Sequence, residues 1–217
     1  MYLLRTVVLL VTIMCLLVLS AQASFWVKGI GFHYSPNYGD FKEELDEAAP
    51  NYDVWQNLSQ GTGFALSVGY DFSNHWGARL DMFKFTGVAD YHRLTNPSTY
   101  YFETSTSPTL LSIVYRVLPE SKLGYYLGAG IGIFASELTI ESNTYEGAHY
   151  TDSPTGWQVF VGTEYRFKRF FFSGEIRYLS AKAEYPGYRC IESCSTDWSG
   201  FFISLGVGYR FRKSEAK

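Results

Sequence analysis

Gly63-Phe64-Ala65-Leu66-Ser67-Val68-Gly69-Tyr70-Asp71-Phe72 is the stretch on which the fold turns. Side chains of a strand point alternately to its two sides. Phe64, Leu66, Val68, Tyr70 and Phe72 therefore share one face, and Gly63, Ala65, Ser67, Gly69 and Asp71 the other. One face is large and apolar; the opposite face is small and polar, dominated by glycine where a solvent-facing strand would carry charge. The same split recurs along the chain. Phe201, Ile203, Leu205, Val207, Tyr209 and Phe211 alternate with Phe202, Ser204, Gly206, Gly208 and Arg210. Tyr125, Leu127, Ala129, Ile131 and Ile133 oppose Gly124, Tyr126, Gly128, Gly130 and Gly132, and Trp157, Val159, Val161 and Tyr165 oppose Gln158, Phe160, Gly162, Glu164 and Arg166.

Four further strands fill the gaps, at about residues 25–34, 76–86, 108–117 and 170–181, the third alternating less cleanly. Eight strands result. The connections 73–75, 118–122 and 168–169 are short, while 35–60, 87–106, 137–155 and 182–199 are long, so short and long connections lie at opposite ends. An even number of antiparallel strands of about ten residues with this loop asymmetry predicts an all-β fold, an eight-stranded antiparallel transmembrane up-and-down β-barrel. Closure satisfies the backbone in lipid. A soluble barrel would hide its large apolar residues inside; here the charges on the small face place the greasy face outward. Applied to the first strand, this rule sends Ile30, Phe32 and Tyr34 to lipid and Gly29, Gly31, His33 and Ser35 to the lumen. Trp26, Tyr70, Phe72, Trp76, Tyr115, Tyr125, Tyr165, Phe167, Phe172, Tyr209 and Phe211 fall near the short turns as an interfacial girdle, and Trp157, Tyr178 and Phe201 near the long loops as a second.

Composition agrees. Of 217 residues 18% are aromatic, with 18 Tyr and 17 Phe, which favours strands. The formal charge of −3 gives no footprint for nucleic acid. Arg5, the apolar run Thr6 to Leu19 and the small residues of Ala21-Gln22-Ala23 read as a cleaved signal peptide over 1–23, with the barrel domain over 24–217. Loss of Arg5 would take the net charge to about −4. Two cysteines then remain, and Cys190 and Cys194 are expected to form one short disulfide in an oxidising compartment.

Charges on the small face are costly against lipid but can pair inside a closed barrel. Arg79, Asp81, Glu164, Arg166, Glu175, Arg177 and Arg210 are therefore expected to form a lumenal polar network that fills or gates the interior.

Together these features resemble the small eight-stranded outer-membrane barrels of the OmpA/OmpX/OmpW type, over essentially all of residues 24–212. The sharper element is Ser204-Leu205-Gly206-Val207-Gly208-Tyr209-Arg210-Phe211, which resembles that family's insertion signal through Ser204, Gly206, Tyr209 and Phe211. The resemblance implies the bacterial outer membrane, contact with its lipid including lipopolysaccharide, and a barrel-assembly machinery that reads the last strand. Here Arg212 to Lys217 follow the aromatic residue on which such chains usually end.

Fold alone does not give function. One reading is a surface or envelope protein whose barrel anchors four long extracellular loops. A second is a narrow conduit for small or hydrophobic solutes through a lumen lined by glycines, although eight strands leave little more than room for their own side chains. A third is a lipid-modifying enzyme, since His33-Tyr34-Ser35 resembles the His-x-Ser element of barrel-borne lipid A deacylases; lumenal parity argues against it. The acidic run Lys42 to Glu47 lacks calcium-loop spacing, and the scattered His75, His92 and His149 lack the partners of a zinc site, so no metal or cofactor is assigned.

Overall fold

In the computed structural model, residues 24–38, 52–56, 61–93, 99–142, 148–185 and 194–211 are described. Their strands are β1 (Ser24–Pro36), β2 (Tyr52–Gln56), β3 (Gly61–Asp71), β4 (Trp76–Phe83), β5 (Phe85–Arg93), β6 (Thr99–Arg116), β7 (Leu123–Ser142), β8 (Ala148–Asp152), β9 (Thr155–Phe167), β10 (Phe170–Ser180), β11 (Lys182–Tyr185), β12 (Cys194–Asp197) and β13 (Gly200–Phe211). Eight of them make the wall in the order β1-β3-β4-β6-β7-β9-β10-β13, every neighbour antiparallel, with β5 continuing β4 past Lys84. The cylinder closes between β1 and β13, from Phe25 opposite Phe211 to Pro36 opposite Gly200. Closure leaves no edge in the wall, the condition for a sheet to stand in hydrocarbon.

Exposure separates the two faces as a membrane barrel requires. Phe64 is 85% exposed, Leu205 74% and Ile131 72% on the outside, whereas Arg79 is 2% and Asp81 0% exposed within. Both girdles have counterparts on the outer face. Near the short turns Phe25 meets Phe211, and Phe170 meets Tyr209; at the other rim Tyr178 packs against Trp157 and Phe201.

The first strand departs from the expected parity. Trp26, Ile30, Phe32 and Tyr34 are buried in the lumen, and Gly29, His33 and Ser35 face outward with Gly31 on their side. Trp26 thus leaves the girdle. Its ring lies over Gly69 and that of Phe32 over Gly63, positions where a Cβ would collide with them. Phe160 covers Gly128, Tyr126 covers Gly162 and Phe171 covers Gly208 in the same way. These five glycines seat aromatic rings in place of lining a channel.

Strand also extends through much of what reads as long loop. β5 pairs with β6 as far as His92 opposite Thr99, β7 runs to Ser142 against β6 and β8, and β11–β12 prolong the β10–β13 hairpin in register. At about 3.4 Å per residue and a tilt near 40°, a strand of this length rises roughly 50 Å, about twice the apolar band of ~25 Å. On β7 the outer face accordingly changes from Ile131 and Ile133 to Glu137 and Thr139. The wall stands well clear of the membrane on the side of the long connections, which is the extracellular side in this architecture.

Candidate functional site

The lumen is the one place where chemistry-bearing side chains converge among the described residues, and it is stacked in three layers. In the middle layer, Arg79 and Asp81 project from β4, and Glu175 and Arg177 from β10. Each pair shares a face because it is spaced by two. β4 and β10 stand diametrically opposite in the strand order, so the bond of 2.6 Å from Arg79 Nη1 to Glu175 Oε2 is a brace across the barrel. Arg177 Nη2 meets Glu175 Oε1 at 2.5 Å, and Arg79 Nε meets Asp81 Oδ2 at 2.9 Å. Gln158 on β9 bridges the set: its Nε2 donates to Asp81 Oδ2 at 3.1 Å and its Oε1 accepts from Arg177 Nη1 at 2.8 Å. Ser67 donates to Asp81, Tyr126 donates to Glu175 Oε2 at 3.1 Å, and Lys28 Nζ stands 3.9 Å from the same carboxylate oxygen. Arg79 also lies over the Phe160 ring at 3.7 Å.

The lower layer, toward the short turns, holds the other three expected charges. Arg166 Nε meets Glu164 Oε1 at 2.6 Å, and Arg210 Nη2 meets the same oxygen at 3.2 Å. Arg116 Nη1 lies 2.7 Å from Asp71 Oδ1. The seven residues expected as one network thus divide into two clusters at different heights.

Above the middle layer the lumen turns apolar. Phe32, Tyr34, Phe83, Phe85 and Phe202 form a buried aromatic plug, with Tyr34 stacked on Phe202 at 4.0 Å and Phe85 5.2 Å from it. Arg177 touches its underside, 4.4 Å from the Phe83 ring. Leu110, Phe134, Leu179, Trp198 and Tyr185 carry the apolar core upward into the extracellular extension. There, outside the membrane span, burial pushes the Tyr38 phenol up to about 12, as expected for a hydroxyl held away from water.

Sequence reasoning left Lys28, Asp71, Arg116, Tyr126 and Gln158 out of the expected network, although it placed Asp71, Tyr126 and Gln158 on the lumenal face. Lys28 carried the signal, since a mid-strand lysine on a lipid face is expensive and belongs inside. His33 and Ser35 face outward, so lumenal parity no longer argues against a lipid-directed role for them. Their ladder neighbours are Thr62, Ile203 and Phe201. No three His, Cys, Asp or Glu converge as a metal site among the described residues. The signal segment 1–23, the acidic run and the pairing of Cys190 with Cys194 lie outside what is described. Ser204 and Gly206 sit on the lumenal face of β13, with Tyr209 and Phe211 on its outer face in mutual ring contact at 4.9 Å.

A closed, lipid-facing barrel with charges and rings packed inside defines an integral membrane barrel protein. Residues 6–211 match the outer membrane protein beta-barrel domain family, and the chain belongs to that family; it is a protein of the bacterial outer membrane. Among solved structures, it is similar to a major outer membrane protein from Thermus thermophilus. The identity is 13% and the TM-score 0.54, with 87% of this chain and 99% of that one covered. It is also similar to the outer membrane protein OprG from Pseudomonas aeruginosa, at 15% identity and a TM-score of 0.52, with 89% and 98% covered. At these identities the likeness is one of fold. No curated protein matches the chain significantly.

Proposed function

We propose that this barrel is a closed anchor for a surface or envelope-interaction role, carried out by the strands and loops that stand above the membrane. The observation that carries the reading is the double closure of the lumen, an ion-pair layer braced from β4 to β10 beneath a plug of five aromatic rings. A conduit for small or hydrophobic solutes needs a continuous path, and Gly63, Gly69, Gly128, Gly162 and Gly208 are covered by Phe32, Trp26, Phe160, Tyr126 and Phe171, while Gly29 faces outward. An eight-stranded barrel is just wide enough for its own side chains to fill. The test is planar-bilayer conductance of the refolded protein beside heat-modifiable gel mobility. A folded barrel that stays electrically silent is expected; discrete conductance steps from folded protein would reverse the reading in favour of the conduit.

The role is non-enzymatic on this reading. The lumen, where the charged side chains converge, is a packed closure with no open path for a substrate among the described residues, and that supports this reading. Cells carrying His33→Ala are expected to show the same lipid A acylation by mass spectrometry as cells carrying the natural protein. An extra acyl chain retained only in the variant would establish a deacylase. Tyr209 and Phe211, outward at the end of β13, support its reading as the segment that the assembly machinery recognises.

A further inference from the structure

The lower layer of the lumen contains more guanidinium than its carboxylates can satisfy. Among the described residues, Arg116 on β6, Arg166 on β9 and Arg210 on β13 pair with Asp71 and Glu164 alone. Both carboxylates are already engaged. Asp71 Oδ1 accepts from Trp26 Nε1 at 3.1 Å, and its Oδ2 accepts from Ser24 at 3.2 Å and lies 3.6 Å from Arg210. Glu164 Oε1 takes both Arg166 and Arg210.

Arg116 is 5% exposed, yet its Nε has no hydrogen-bond acceptor among the described residues, and its Nη1 approaches Asp71 without the alignment of a hydrogen bond. Arg210 Nε is likewise buried without an acceptor. Arg166 is better served, since it also donates to the Pro119 carbonyl. The middle layer offers no relief, because Lys28, Arg79 and Arg177 there already outnumber Asp81 and Glu175. Among the described residues each layer therefore carries one cation in excess. Buried donors and charges left in that state are unfavourable unless something negative completes them.

We propose that Arg116, Arg166 and Arg210 form a binding site for a tetrahedral oxyanion, a phosphate group, entered from the periplasmic mouth of the barrel. The planar guanidinium fork matches phosphate oxygens in pairs; Arg116 and Arg210 offer the unpaired N–H groups, and Arg166 adds its charge at the rim. Access is graded. Arg166 and Arg210 keep 18% and 22% of their side chains exposed at the mouth, while Arg116 lies deeper with its free N–H groups. One glycine keeps the deeper pair clear: a Cβ on Gly77 would stand 2.7 Å from Asp71 Oδ1 and 3.2 Å from Arg116 Nη1. The phosphate group is either free inorganic phosphate or the headgroup of a periplasmic-leaflet phospholipid. The site is independent of the surface role proposed above.

The test uses full-length protein extracted from outer membranes into maltoside micelles in phosphate-free buffer. Inorganic phosphate, or dihexanoyl phosphatidic acid, is titrated at constant ionic strength while the thermal unfolding midpoint is read by heat-modifiable mobility. A saturable rise in midpoint is expected. Arg166→Gln, at the accessible rim, should weaken it about tenfold, the scale of one lost charge-assisted hydrogen bond. Asp71→Asn, which removes a competing carboxylate, should tighten it. Saturation by inorganic phosphate assigns a free anion, and saturation by phosphatidic acid alone assigns a lipid headgroup. If neither raises the midpoint beyond the effect of chloride, the site does not exist. Equal affinities in the natural protein, Arg166→Gln and Asp71→Asn would place the anion elsewhere and overturn it equally.

Discussion

Glu175→Ala is expected to destabilise the folded barrel by roughly 4 kcal/mol, the scale of breaking a buried ion pair from one side. Glu175 is the acceptor on which the middle layer converges: Arg79, Arg177, Lys28 and Tyr126 all reach it. Without it three buried cations face Asp81 alone. Asp81 is already bonded to Ser67 and Gln158 besides Arg79. Glu175→Gln, which keeps the shape and one acceptor but not the charge, should fall between the alanine variant and the natural protein. Urea unfolding in lipid vesicles, followed by gel mobility and tryptophan fluorescence, measures the difference. A midpoint for the alanine variant equal to that of the natural protein would show that the brace between β4 and β10 contributes nothing.

That brace illustrates what a closed small barrel does with charge. Eight strands bring β4 and β10 near enough for a guanidinium and a carboxylate to meet across the axis. The pair also fixes the lumen against collapse or slippage, because it joins strands that share no hydrogen-bond ladder. Rings at several heights do the complementary work. Trp26 rests on Gly69, Phe160 on Gly128 and Phe32 on Gly63, positions left small, so ring and glycine specify one another.

The alternation around Phe64, Ile131, Val159 and Leu205 made the barrel, its strand number and its inside legible, because lipid demands large apolar residues on one face of every spanning strand. β1 misleads for a definite reason. Its lumenal face carries Trp26, Ile30, Phe32 and Tyr34, and its outer face carries Gly29, Gly31, His33 and Ser35, so size points the wrong way. Charge pointed the right way, since Lys28 shares its parity with Ile30 and Phe32, and a one-residue error in phase turns every side chain over. The extracellular extensions were hidden because the rule that reveals the strands ends with the lipid. Above Ile133 the outer face of β7 has water to face, and Glu137 and Thr139 look like loop residues although the ladder with β6 continues to Ser142. The charged residues were legible as lumenal, but not their partners. Which carboxylate meets Arg79 depends on strand order around the closed barrel and on height along it, and neither is written in the local pattern. Hence Glu164, Arg166 and Arg210 joined Arg79 and Glu175 in one expected network, whereas they occupy a separate layer with Asp71 and Arg116.

Arg177→Ala separates a structural network from a gate. Unlike Glu175→Ala it leaves the middle layer balanced, with Lys28 and Arg79 against Asp81 and Glu175. It removes the contacts of 2.5 Å to Glu175 and 2.8 Å to Gln158, together with the stacking beneath Phe83 at 4.4 Å. The expected cost is about 2 kcal/mol, the scale of hydrogen bonds to a charged group, and smaller than that of Glu175→Ala. Conductance should remain absent, because Phe32, Phe85 and Phe202 still close the lumen above the space that the guanidinium leaves. A gate makes the opposite forecast: channels appear and the urea midpoint does not move. A variant with unchanged midpoint and unchanged silence would remove Arg177 from both roles. The order of the two stability losses is therefore as informative as their size, since only a layer held by charge balance makes the loss of one carboxylate worse than the loss of one arginine.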